Sequence, residues 1–192
     1  VDLFRRDDTV FEGAPISLAT GDFRVLLDHG TLLFKAPADG RAALAHAIGA
    51  DLVVVSEPFA TRFGRKVGDV IQLATPHGPA GFAIAAVYFD YSADRGVVVL
   101  DRATFARHFG ERRATSLTVY LRPGRSPGEV AADLQAQFGE DRRLFIQTNE
   151  SLRREVLRIF DSTFAITYAV EAVAIVVSMM GIATTLLTLI LD

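Results

Sequence analysis

One stretch limits this chain more than any other. From Ala172 to Leu191 the sequence reads AVAIVVSMMGIATTLLTLIL, 20 residues without a charge. Coiled as an α-helix at 1.5 Å per residue, it spans about 30 Å, the thickness of a bilayer's hydrocarbon layer. A buried helix of a soluble protein seldom stays uncharged that long. Ser178, Gly181, Ala183, Thr184, Thr185 and Thr188 are small or hydroxylated, which suits close helix packing in lipid. The segment is therefore expected to be transmembrane. Glu171 stands at its upper boundary, where a carboxylate reaches water at little cost, and it is read as an interfacial residue.

The residues just before the span extend the same helix. Asn149 is a candidate cap and Ile146 a candidate staple against the first turn. Leu152, Val156, Ile159, Phe160, Phe164 and Tyr168 recur at three- and four-residue spacing, with Arg153, Arg154, Glu155, Arg158 and Asp161 between them. No proline interrupts the run. One rod is expected to leave a folded domain and enter the membrane.

The remaining sequence reads as α+β. In residues 1–49, short β-like runs alternate with turn signals: Val10-Phe11, Ile16 to Leu18, Phe23 to Leu27 and Thr31 to Lys35. Arg41 to Ile48 is alanine-rich and helical, closing at Gly49. Next come a buried strand at Leu52 to Val55 and a short helix at Glu57 to Phe63, with Pro58 in its first turn. A hairpin follows from Val70 to Ala74 and Gly81 to Tyr91, then a strand at Val97 to Leu100 and a helix at Arg102 to Phe109. The last part predicts β-α-β-α: Leu117 to Leu121, Pro127 to Phe138 capped by Ser126, Leu144 to Gln147, and the long terminal helix.

Composition and motif searches argue against most chemistry. The net charge of −3, with no long basic run, argues against nucleic acid. Without cysteine there are no disulfides, thiolate metal sites or cysteine nucleophiles. His29, His46, His77 and His108 are scattered and match no zinc pattern. Ser56 lacks a GxSxG setting and reads as the cap of the next helix. Asp90, Asp94 and Asp101 do not follow a calcium-loop pattern. No GxxxxGK[ST] phosphate loop exists, so ATP hydrolysis by this chain is not expected. The expectation is no catalytic, cofactor-binding or metal site, and no cofactor. Nothing near Val1 resembles a signal peptide, which predicts an earlier membrane segment upstream.

At Val53 to Leu73 the sequence VVVSEPFATRFGRKVGDVIQL, followed by FAIAAVYFDY at residues 82–91, resembles the extracytoplasmic domain of FtsX-like (MacB-type) ABC-transporter permeases. In that family a strand, a Ser-Glu pair, a short helix, a "vGD" turn and a hairpin recur in this order. The tail from Leu157, LRIFDSTFAITYAVEAVAIVVSMMGIATTL, is similar to the family's following membrane helix. The resemblance implies a two-lobed periplasmic domain, with a mixed α/β membrane-proximal lobe and a β-rich inserted lobe. The expected division is 1–49 for the first part of the domain, 50–115 for the inserted lobe, 116–160 for the membrane-proximal lobe and 161–192 for the span.

It further implies a multi-pass protein of the bacterial inner membrane with residues 1–160 extracytoplasmic. The implied partners are the bilayer, a cytoplasmic ABC ATPase contacted through parts outside this sequence, and a second permease copy or paired permease. Family members serve lipoprotein release, drug or peptide export, or control of cell-wall hydrolases. The competing reading is a membrane-anchored extracytoplasmic sensor or ligand-binding module.

Overall fold

The computed structural model describes residues 1–90, 94–110, 113–142 and 145–191. It divides into two compact units, residues 1–120 and 121–192.

The first unit is centred on a strand whose sequence is apolar on both faces. Strand β4 (Leu52–Ser56) carries Val53, Val54 and Val55, all 0–1% exposed. Val53 and Val55 pack with Ile16, Leu18, Phe59, Ile84 and Leu100, while Val54 packs with Phe23, Leu44 and Ala86. A strand buried on both sides reads as a continuous apolar run, and helices must cover both faces of its sheet. They do. Helices α1 (Phe23–His29) and α2 (Gly40–His46) contribute to one apolar cluster, and α3 (Glu57–Arg62) and α4 (Arg102–Phe109) to the other.

Seven further strands complete a mixed sheet: β1 (Asp2–Phe11), β2 (Ala14–Gly21), β3 (Phe34–Ala36), β5 (Val70–Thr75), β6 (Gly78–Tyr88), β7 (Val97–Asp101) and β8 (Ser116–Thr118). Their order is β3-β6-β4-β7-β2-β1-β8, with β5 also paired to β6. The pairs β2–β7 and β4–β6 are parallel and the others antiparallel. Between Val53↔Ile84 and Val54↔Ala86 the register slips by one residue on β6. The extra residue is a bulge, and it keeps Ile84 and Val87 in one cluster while Ala86 faces the other.

Several expectations change. Phe23 to Leu27 is helical. A short apolar run cannot be told from a strand by periodicity alone, and here Asp22 decides by accepting the Arg24 amide at 3.0 Å as a helix cap. The third strand is confined to Phe34–Ala36. Strands β1, β2 and β3 lie in the same sheet as β4 to β7. The strand near 117 joins that sheet too, through β1, so the first compact unit runs past 115 to Tyr120. The strand expected over 144–147 is absent from its described residues: 145–148 are irregular and Phe145 is 84% exposed. Leu144 lies outside the described residues, as does Tyr91 at the end of the expected hairpin.

The second unit contains helices α5 (Pro127–Arg142) and α6 (Asn149–Leu191). Ser126 accepts the Glu129 amide at 3.5 Å, a long version of the expected cap.

Candidate functional site

The chemistry of α6 starts one residue earlier than the sequence led us to expect. Asn149 is the first helical residue and Thr148 is the cap. Ser151 donates its amide to Thr148 Oγ1 at 3.1 Å, and the Thr148 amide donates back to Ser151 Oγ at 3.2 Å. This reciprocal exchange is a capping box with serine in place of the usual Glu or Gln. It satisfies two amides that the helix start would otherwise orphan.

From that cap the helix continues for 43 residues, about 65 Å at the helical rise. Thr167–Leu191, 25 residues at a mean hydropathy of 2.3, is long and apolar enough to cross a membrane. Two polar side chains within the span are satisfied inside the helix. Ser178 Oγ donates to the Ala174 carbonyl and Thr184 Oγ1 to the Met180 carbonyl, each at 2.8 Å. Such back-bonding removes most of the cost of placing a hydroxyl in lipid. Glu171 lies four residues inside the upper end, within reach of the interface.

The other polar residues singled out from the sequence do not converge. His29 stacks on Tyr120 with ring centroids 4.4 Å apart. His46 Nδ1 lies 2.9 Å from the Ala42 carbonyl on its own helix. His77 sits in the β5–β6 turn, its amide donating to Thr75 Oγ1. His108 meets Asp51 at 2.7 Å beside Phe82. No group of three or more potential metal ligands occurs among the described residues.

Ser56 is buried, and its hydroxyl accepts the amides of Val97 at 2.8 Å and Phe59 at 3.4 Å. It is the helix cap that its sequence position implied. Asp90 accepts the Tyr88 hydroxyl at 3.3 Å, and Asp94 lies in the turn before β7.

Three environments shift a titratable group. Hydrogen bonds from His108 and Arg107 hold the Asp51 carboxyl below its ordinary range. Lys35, 2.9 Å away, does the same for Glu57. Burial, reinforced by Asp90, raises the Tyr88 phenol.

Asp101 is the polar residue whose role the motif search missed. It is 3% exposed and accepts three backbone amides: Phe23 at 3.2 Å, Gly49 at 3.0 Å and Ala103 at 3.2 Å. One carboxylate thus ties the starts of α1 and α4 to the loop before β4. The local signal was present, since an aspartate directly before a helix is a cap. The other two contacts are 52 and 78 residues away in sequence.

The helix-flanked mixed sheet is the part of this chain that the comparisons with known proteins match. Residues 10–137 match the MacB-like periplasmic core domain family. The chain belongs to that family. The resemblance to MacB-type permeases read at Val53 to Leu73 holds for most of the sheet.

An uncharacterized ABC transporter permease protein of Mycobacterium tuberculosis is 36% identical to the MacB-like chain over 141 residues. That alignment covers 73% of this chain and 16% of the relative, so the chain corresponds to about a sixth of that protein. Two solved structures share the fold at 11% identity. The periplasmic region of MacB from Actinobacillus actinomycetemcomitans aligns with a TM-score of 0.50, covering 81% of this chain and 74% of that one. The extracellular domain of the noncanonic ABC-type transporter YknZ from Gram-positive bacteria aligns with a TM-score of 0.51, covering 76% of each.

Proposed function

We propose that this MacB-like domain is the extracytoplasmic part of an ABC-transporter permease, and that α6 couples it mechanically to motions driven by a partner ATPase. The observation that carries the reading is the continuity of α6. A single capped helix begins at Asn149 and runs without a proline to Leu191, through an apolar segment of membrane length. A helix of this kind transmits displacement and torque along its axis, which a flexible linker does not.

On this reading residues 1–160 lie outside the cytoplasmic membrane, the permease works with a second copy or a paired permease, and the chain itself catalyses nothing. ATP hydrolysis is assigned to the partner ATPase, as residues 1–192 contain no phosphate loop. Export or extraction of a lipid, lipoprotein or small molecule is the output, or the movement of an extracytoplasmic partner. Topology is tested by placing a cysteine at the exposed Arg125. A membrane-impermeant thiol reagent should label it in intact spheroplasts, and labelling only after lysis refutes the placement.

Coupling is tested at Ala165, an exposed helical residue just before the span. Ala165→Pro removes one helical hydrogen bond and kinks the rod, and Ala165→Ser keeps it straight. In the complete permease with its ATPase, nucleotide should alter hydrogen exchange in residues 1–120 of the wild type and of the serine variant. The proline variant should bind ATP and lose that response. An intact response in the proline variant refutes rigid coupling and favours the tethered sensor.

A further inference from the structure

We propose that the open edge of β5 pairs, antiparallel and about a two-fold axis, with the same edge of a second copy of this chain. Among the described residues β5 is paired to β6 alone. A strand with one open side presents a row of backbone donors and acceptors that templates a further strand, and proteins guard such rows with charge or by keeping them short. The other open edges of this sheet are guarded in those ways. β3 and β8 are three residues each, and β3 carries Lys35. The part of β1 that β8 leaves uncovered begins Arg5-Arg6-Asp7-Asp8. β5 has neither guard. It is six residues long, and no Asp, Glu, Lys or Arg occurs from Val70 to Phe89.

The backbone selects a register. The Ile84 amide donates to the Asp69 carbonyl at 2.9 Å, so Asp69 faces β6. Antiparallel strands alternate, which turns the backbone groups of Val70, Gln72 and Ala74 to the open side. A two-fold axis through Gln72 sets that residue opposite its own copy and Val70 opposite the copy's Ala74, all as hydrogen-bonded pairs. The same axis sets Ile71 opposite the copy's Leu73. Those two residues are 1% and 4% exposed, so core side meets core side. The exposed Val70, Gln72 and Ala74 stay together on the outer face.

The occupant is a copy because this edge is its own complement. A two-fold axis brings residues at its centre against their like, which a charged strand would oppose and an uncharged one does not. A foreign strand bearing charge would find nothing on β5 to match it. The proposal deepens the reading of a paired permease and rests on it for the second copy. It does not depend on the coupling role of α6.

The test uses the full chain in a neutral detergent. The sequence holds no cysteine, so every disulfide comes from an introduced one. Hydrogen-bonded residues directly opposite each other lie about 5.5 Å apart at Cα, within reach of a disulfide. Gln72→Cys should therefore give a linked dimer under mild oxidation, read on a non-reducing gel. Val70→Cys alone should not link, because its two copies lie about 13 Å apart along the strands. Mixed with Ala74→Cys, it should. Leu117→Cys, on the exposed β8, sets the level of random collision. Gln72→Lys puts like charges across the axis and should weaken association about fivefold in sedimentation, and mixing it with Gln72→Glu should restore it. An unchanged urea transition of residues 1–120 verifies the fold of each variant. A dimeric chain that links at position 72 no faster than at 117 overturns the proposal and leaves the paired permease standing. A monomeric chain overturns the self-pairing together with the second copy it rests on. Capture of a different protein in whole cells, by a photo-reactive residue in place of Gln72, assigns the edge to a foreign strand and overturns the self-pairing.

Discussion

Two groups of valines show how differently the two units use the same residue. In β4, Val53, Val54 and Val55 are 0%, 1% and 0% exposed. In α6, Val173, Val176 and Val177 are 63%, 56% and 63% exposed. The difference lies in what interrupts the apolar run. Strand β4 is five residues long and is followed at once by a capped helix, so the chain folds back and covers it. The apolar surface of α6 goes all round the helix for 20 residues, with no turn to fold at. Each buried aliphatic side chain contributes about 1.5–3 kcal/mol. A span left in water therefore forgoes on the order of tens of kcal/mol, which the hydrocarbon of a bilayer supplies. The first unit carries its own apolar phase, and the second needs one from outside.

The largest expected effect removes that need. Truncation after Asp161 should yield a chain soluble without detergent, while the full chain aggregates or binds detergent. Light scattering in detergent-free buffer decides. A monodisperse, monomeric full chain would show that something in the protein covers the segment, and the comparison would break.

Next, Phe59→Ala should destabilise residues 1–120 by about 3–5 kcal/mol in urea, because Phe59 is fully buried between Phe11 and Phe63. Leu186→Ala, in the span, should leave that transition in place. A comparable loss from Leu186→Ala would mean that the span contributes to folding of the sheet. Asp101→Ala leaves one buried and two part-buried amides without their acceptor and should cost about 2–4 kcal/mol, with Asp101→Asn costing less because asparagine still caps a helix. Equal losses would show that the charge matters and not the capping geometry.

The smallest effect is the pH dependence of Asp51. Its folded-state pKa is depressed, chiefly by His108 and then by Arg107, so its stabilising contribution is present above the unfolded value and lost as pH falls through the folded one. The group is half exposed, which keeps the effect small. Wild type should be slightly more stable than Asp51→Asn at neutral pH, and the gap should close in acid below the usual carboxylate range. A gap that widens in acid would contradict the sign.

Much was legible wherever a local rule and the tertiary structure agree. The α4 limits Arg102 to Phe109, the Ser56 cap and the strand at Leu52 to Val55 follow from neighbouring residues alone. So do the length and continuity of the terminal helix. The misreadings cluster where the answer is held elsewhere. Phe23 to Leu27 has the composition of a strand, yet Asp22 caps it as a helix and the Phe23 amide before that first turn is held by Asp101, 78 residues away. Residues 145–147 were expected to form a strand and are irregular, because an apolar run becomes a strand only where a partner strand is hydrogen-bonded to it.

The sequence by itself determined that one part of this chain is long and apolar enough to cross a membrane and that another part folds as alternating strands and helices. Both properties depend on apolar residues counted along the chain, and local spacing contains them in full. Only the tertiary structure decided that residues 1–49 and 50–115 share one sheet and that Asp101 joins three segments. Those are contacts between residues far apart in sequence. Strand order and register set them, and no local pattern records either.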